Sequence, residues 1–397
     1  MIRISLCMVL LAGAAQADGL NYDGFNHRER HAPFLEPAFD GQTRAPVLES
    51  GIDLKMEVLA GPLEFPWGIA ALPDGSYIVT ERVGRMRHIS ADGTISDPIA
   101  GIPAVDARDQ GGLLDVALAP DFAESRMIWW TYAKPTVDDR SATAAARGVL
   151  SEDYTQVSDV QQVFVQTPDS KYPYHFGSRV VFDGAGHVYI TTGEHSNPPE
   201  RDMAQDIEST FGKVVRFNTD GTVPDDNPFV GKPGIDSIWS LGHRNIQGAA
   251  MDPEGRLWTV EHGPRGGDEL NLPEPGKNYG WPVVSYGINY GGEVIGEGIA
   301  HADGMEEPVY FWDPVIAPGG MSFYSGEMFP EWEGDLLICG MPTMSLVRLE
   351  LENDRVAGEE RIFLDLGRIR DVEVLADGSL LVLQDDSSGN VVRITRE

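Results

Sequence analysis

The chain has 397 residues, of which 62 are acidic and 30 basic, so it carries a formal net charge of −32 at neutral pH. A field of that sign argues against nucleic acid and anionic bilayer surfaces as partners, because both are polyanions. An apolar content of 42% with eight tryptophans is enough for a large core.

The first residues, MIRISLCMVLLAGAAQADG, combine one arginine, an apolar run from Cys7 to Ala12 and the small-residue pattern Ala15-Gln16-Ala17 before Asp18. This predicts a secretory signal peptide over 1–17, too short for a spanning helix, and a mature protein that is periplasmic or secreted with no stable membrane insertion. Cys339 is then the only cysteine left, so no intrachain disulfide can form and stability must come from the core. Residues 18–50 lack a clear period and are rich in turn formers, which predicts an N-terminal arm. From 51 to 397 the pattern is of strands and turns; Ala142 to Arg147 is the one stretch suggesting helix, and then only a turn or two.

A unit recurs along this region: an Asp-containing turn followed by four or five β-formers. Its copies are ALPDGSYIVTE at 71, LAPDFAESRMIWWTYA at 118, VFDGAGHVYITTGE at 181, AMDPEGRLWTVEHG at 250, WEGDLLICG at 332 and LADGSLLVLQDD at 375. Most are followed by a short basic-apolar strand such as GRMRHIS or NVVRITR. Strand-turn-strand units at this spacing predict an all-β, six-bladed β-propeller. The insertions between units are expected to lie as long loops on one face, the longest near Asn278 to Gly304, and KMEVLA at 55 is expected to close the ring by pairing with the last blade.

Several polar residues fall at predicted strand ends, where a rigid sheet can aim side chains at a pocket. His175 precedes one strand and Glu194 ends the next, so in one hairpin they meet on the same face; an imidazole there is either a general base backed by a carboxylate or an ordinary loop histidine. Arg244 and Asn245 lie in GHRN, and Arg368 and Arg370 lie two apart in GRIRDV, which places them on one side of a strand. Their guanidinium groups either pair with some of the 62 acidic residues or converge to bind a small polyanion. The Gly263-Pro264 turn can offer bare carbonyls to a hard cation or be only a turn.

Taken together, FPWGIAALPDGSYIVTER, QGGLLDVALAPDF, HFGSRVVF, GHRNIQG, EHGPRGGDELN, GKNYGWP and RIRDV resemble the soluble pyrroloquinoline-quinone-dependent aldose sugar dehydrogenases, relatives of soluble glucose dehydrogenase. The resemblance runs from about Leu54 to the C-terminus. It implies that an aldose is oxidised at its anomeric carbon to a lactone, with electrons passed to an external acceptor. It also implies His175 as the base, with Glu194 where the family usually has Asp, and Arg244 opposite the developing charge. Arg244, Asn245, Arg368 and Arg370 would hold the quinone, Gly263 and Pro264 would ligate calcium, and Gln110 and Trp312 would lie near the substrate or over the ring. One departure is implied too: the family's lysine after the fifth repeat is missing, and Pro342 stands near that place. That absence keeps open a second reading, a propeller that binds a ligand or partner without turnover.

Overall fold

The computed structural model describes residues 28–397, so the signal-peptide expectation lies outside the described residues. Six antiparallel sheets account for nearly all regular structure. The first blade has three strands, Pro66–Ala71, Tyr77–Glu81 and Arg85–Ile89. The second runs Leu113–Leu118, Met127–Pro135, Ser141–Leu150 and Val157–Val165, and the third runs Gly177–Phe182, His187–Thr192, Lys213–Asn218 and Ile238–Leu241. Blade four comprises Ile246–Met251, Leu257–Glu261, Asp268–Asn271 and Tyr310–Trp312, and blade five comprises Pro318–Phe323, Leu336–Gly340, Ser345–Glu352 and Arg355–Phe363. Blade six takes Ile369–Val374, Leu380–Gln384 and Gly389–Arg396, and its outer strand is Leu54–Leu63 from the start of the chain.

The first strand of each blade touches the first strands of the blades on either side, and the sixth touches the first, so the sheets form a closed ring. Closure leaves few bare edges, and it explains the continuous burial of the second strands. YIVTE, LWTVE and LLICG are buried at every position because both faces of each sheet pack on a neighbouring blade. The repeated Asp-containing turns are local in origin. Asp74 accepts the Ser76 N–H at 3.0 Å while Gly75 takes φ 82°, which only glycine adopts without strain, and Asp377 accepts Ser379 N–H at the same 3.0 Å. At 118 the unit differs, with a four-residue helix, Phe122–Ser125, between its strands.

The helical suggestion at Ala142 to Arg147 is wrong. Ser141–Leu150 is a ten-residue strand, buried along most of its length between Met127–Pro135 and Val157–Val165. Alanine's helix preference is worth only a few tenths of a kcal/mol per residue. It yields to pairing in the sheet, where Ala144 and Ala146 pack in one core with Trp130.

Residues 28–53 carry no regular strand. They are fastened by an isolated bridge at Val47 and by the carboxylate of Asp313, which accepts the N–H groups of His31 and Ala32. Ala32 and Leu35 pack on Tyr286, Ile288 and Phe311, so this arm braces the long insertion of blade four.

Candidate active site

Two positions of the repeat supply the site: the residues leading into the first strand of a blade and those leaving its second strand. In an antiparallel hairpin these ends lie at the same mouth of the ring. Gln110, His175, Arg244, Asn245 and Arg368 occupy the first kind of position. Arg82, Glu194, His262, Met341 and Asp385 occupy the second.

His175 sits at φ 46°, and its N–H donates to Gln110 Oε1 at 2.9 Å. The Gln110 N–H donates in turn to the Pro173 carbonyl at 3.1 Å, so Gln110 brackets the loop that carries the histidine. This places Gln110 at the cavity wall as a support for His175. Glu194 lies beneath the imidazole, with Nδ1 to Oε1 at 3.2 Å. Glycine at 193 permits the approach, because a Cβ there would come 2.0 Å from the His175 carbonyl oxygen. The other Glu194 oxygen accepts the Ser196 N–H, and Arg244 Nε stands 4.0 Å from the first.

Burial depresses the His175 pKa, and the Arg244 charge pushes the same way, against the opposing pull of Glu194. The imidazole is therefore neutral near pH 7. For Glu194, burial acts to raise the pKa, but His175, Arg244 and the Ser196 N–H outweigh it, and the carboxylate is held below its usual range. A carbonyl or carboxylate can only accept, so Nδ1 carries the proton toward Glu194 and Nε2 keeps the lone pair.

Arg244 and Asn245 are fixed from behind by Glu261. Its carboxylate accepts both their N–H groups and also holds His243 Nδ1 at 2.9 Å. His243, stacked on Tyr279 and bonded to Ser240, is thus a core residue that shapes the loop. Arg244 Nη1 donates to the His262 carbonyl at 2.9 Å, and its guanidinium faces the Trp281 ring at 5.2 Å.

Next to this group the axis opens into a cavity whose wall includes Trp67, Arg82, Asn245, Arg368, Arg370 and Asp385. Asp385 Oδ2 accepts from Arg368 at 3.0 Å and from Arg370 at 3.1 Å. Three guanidinium groups face one carboxylate here, leaving a local charge of 3 − 1 = +2, since His262 is neutral with its pKa depressed by burial to about 3. The crowding is visible in Arg82, whose pKa is lowered by burial and then by the like charges of Arg370 and Arg368. Arg370 Nε, Arg244 Nε and Asp385 Oδ1 are buried with no hydrogen-bond partner among the described residues. Trp67 forms an aromatic wall, with Arg179 packed on it at 4.3 Å. This donor set fits a small molecule that carries several carboxylates.

Trp312 is not at the cavity, contrary to the expectation for it. It lies in the outer strand of blade four, 3% exposed, with Nε1 donating to Glu359 at 3.2 Å. Trp312 packs instead among the apolar side chains between blades four and five, and the aromatic side chains that line the cavity are Trp67 and Phe176. The residue before Pro342 is also informative: Met341 lines the cavity, its sulfur 3.3 Å from Arg368 Nη2. A thioether therefore stands near the place of the expected lysine, and a further cation arrives from Arg82 in blade one. Gly263 and Pro264 form a bent turn in which the Gly263 N–H donates to Asp268 at 2.7 Å, while the two carbonyls accept no hydrogen bond among the described residues. They stay open to a hard cation; no cluster of three or more His, Cys, Asp or Glu suited to a metal occurs among the described residues.

The structure is thus a closed propeller with a cationic well on its axis, near a carboxylate-backed imidazole. Residues 63–393 match the model of the glucose/sorbosone dehydrogenase family, and the chain belongs to that family. It is 45% identical over 350 residues to the aldose sugar dehydrogenase YliI of Escherichia coli K12, covering 86% of this chain and 93% of that protein. The structure superposes on the apo-form of the soluble aldose sugar dehydrogenase of Escherichia coli with a TM-score of 0.83 at 43% identity, over 87% of this chain and all (100%) of the other. It is also similar to the pyrroloquinoline-quinone-bound aldose sugar dehydrogenase of Streptomyces coelicolor, with a TM-score of 0.70, 27% identity and coverage of 89% and 100%.

Proposed function

We propose that this protein is an exported quinoprotein that oxidises the anomeric carbon of aldoses to lactones and passes the electrons to an external acceptor. The observation that carries the reading is the +2 well of Arg82, Arg368, Arg370 and Asp385, whose wall also carries Gln110, the support of the His175 main chain, and Asn245, next to Arg244. A quinone bearing several carboxylates would neutralise that surplus, held by Arg244, Asn245, Arg368 and Arg370 with Arg82 as an added cation, and Gly263 and Pro264 would offer carbonyls to calcium. When bound, the quinone supplies a two-electron acceptor for the hydride of the anomeric carbon, with calcium as Lewis acid.

The chain's own residues do the remaining work. Nε2 of His175 removes the proton of the anomeric hydroxyl as the C–H bond breaks, so the base need only be neutral, and its environment keeps it so. Glu194 fixes the tautomer through Nδ1 and stabilises the imidazolium as it forms. Arg244, already aimed by Glu261 and the His262 carbonyl, meets negative charge that develops on the acceptor side without reorganising. Gln110 holds the His175 main chain. Export follows from the N-terminal sequence; no helix among the described residues is long and apolar enough to cross a membrane.

The test is to add the quinone and calcium to purified protein and follow dye reduction with a panel of aldoses. Turnover supports the reading, and neither turnover nor a quinone spectrum rejects it. A non-catalytic binding propeller is favoured only by Met341-Pro342 in place of a cation. For that alternative, His175→Ala would leave ligand binding and all function intact, whereas in the enzyme it removes turnover and spares cofactor binding.

A further inference from the structure

Arg201 lies in the 3-10 turn Glu200–Gln205 that follows the Glu194 loop. Two carbonyls of that turn, Met203 and Ala204, accept from the buried Lys213 ammonium at 3.0 and 2.9 Å, which fixes the segment in place. The Arg201 guanidinium carbon is 5.6 Å from the centre of the Trp281 ring, and Arg244 is 5.2 Å from the same ring. Through Arg244 and Glu194 this group is continuous with His175. The Arg201 charge also reaches the imidazole, where it adds to the effects of burial and Arg244.

Arg244 has Glu194 as counter-charge, but Arg201 has no ion-pair partner among the described residues. Its Nη1 donates to the neutral Asn289 side chain at 3.2 Å, and its Nε is buried without a hydrogen-bond partner. The indole of Trp281, 6% exposed, likewise has its Nε1 buried and unpartnered. Two donor-only groups and one uncompensated positive charge thus stand together near the base. Neutral sugar hydroxyls would satisfy the donors and leave the charge unmatched; an acidic substituent answers both.

We infer that this site takes aldoses that carry an acidic group, with Arg201 as the residue that selects for it and Trp281 Nε1 as a second donor. The inference rests on the dehydrogenase reading above and names its substrate class. A carboxylate and a phosphate share the chemistry, so the test uses D-glucuronate, D-glucose 6-phosphate and D-glucose with the quinone- and calcium-loaded protein. At least one acidic sugar is expected to exceed glucose in kcat/KM by about tenfold, the effect of one charge-assisted contact. Preference for glucuronate alone assigns a carboxylate ligand, and preference for the phosphate ester alone assigns a phosphate. Arg201→Gln should abolish the preference and Arg201→Lys should restore part of it. Calorimetric titration of the same three proteins with sodium glucuronate and with glucose 6-phosphate gives a readout independent of turnover, and it should show binding that follows the charge at 201. Glucose oxidised as well as both acidic sugars, or a preference unchanged in Arg201→Gln, overturns the inference and leaves the dehydrogenase standing. Acidic-sugar binding that depends on Arg201, with no sugar turned over, supports the acidic-ligand site and overturns the dehydrogenase.

Discussion

Replacing Glu194 by Gln keeps the size of the side chain and an acceptor for the Ser196 N–H, and it removes one charge beneath His175. Unit charges at the 3.2 Å separation seen here would interact by about 5 kcal/mol at an effective dielectric of 20. Both charges are delocalised over two atoms, so roughly half of that, about 2.5 kcal/mol, is a realistic loss of imidazolium stabilisation in the transition state. At 1.36 kcal/mol per decade this corresponds to a fall in kcat of roughly 70-fold. The sign of the pH effect is opposite to that of simple damage. Glu194 raises the His175 pKa against burial and Arg244, so its removal lowers that pKa further. The acid limb of the kcat/KM profile should then move to lower pH while the plateau drops. Steady-state dye reduction by the loaded protein between about pH 4 and 9 reads both effects, spanning the ordinary histidine range. An unchanged plateau, or an acid limb displaced upward, would refute the assignment of Glu194 as the group that supports the base.

Three further outcomes follow from the same geometry. Gly193→Ala puts a methyl group against the His175 carbonyl oxygen; turnover should fall by about 100-fold or more, as expected when a base is displaced by an ångström, while the quinone still binds in a spectral titration. Asp385→Asn removes the sole carboxylate among three guanidinium groups. The variant should unfold more easily by roughly 3 kcal/mol in denaturant titration, yet bind the anionic quinone more tightly, and a gain in stability would contradict the charge count. For Asp385 itself burial acts to raise the pKa, but Arg370 and Arg368 outweigh it and the folded value is depressed. Its contribution to stability is therefore present above the unfolded value near pH 4 and is lost as pH falls through the folded one. Arg179→Met strands the buried Asp115 and Asp371, which Nη1 of Arg179 bridges at 3.1 and 3.0 Å; a loss of about 3–5 kcal/mol is expected in chemical denaturation, and a loss below about 1 kcal/mol would show the bridge to be replaceable.

The architecture was legible because its signal is local and repeated. Asp74 with Gly75 and Asp377 with Gly378 write the same hairpin turn more than three hundred positions apart, and KMEVLA pairs with the last blade as its pattern predicts. His175 and Glu194 could be paired from sequence because one hairpin joins them. Arg82 and Asp385 escaped notice although each leaves a second strand just as Glu194 and His262 do; a search by repeat position would have found them. What no local pattern reveals is which of 62 acidic residues faces a given arginine. Asp385 meets Arg368 and Arg370 across a hairpin, while Glu261 turns inward to hold the GHRN loop. Trp312 and Trp67 show the same limit. Both are aromatic residues in strands, and only the placement of the strand in its blade, outer for one and innermost for the other, decides which reaches the axis.

The proposed activity depends on the well of guanidinium groups, and the decisive measurement is calorimetric titration of the metal-free, cofactor-free protein with pyrroloquinoline quinone, with and without calcium. One site per chain is expected, tightened by calcium, weakened by added salt, and reduced in affinity by about tenfold or more in Arg370→Ala, the value of one charge-assisted contact. No heat of binding, or binding indifferent to both salt and Arg370, would contradict this expectation.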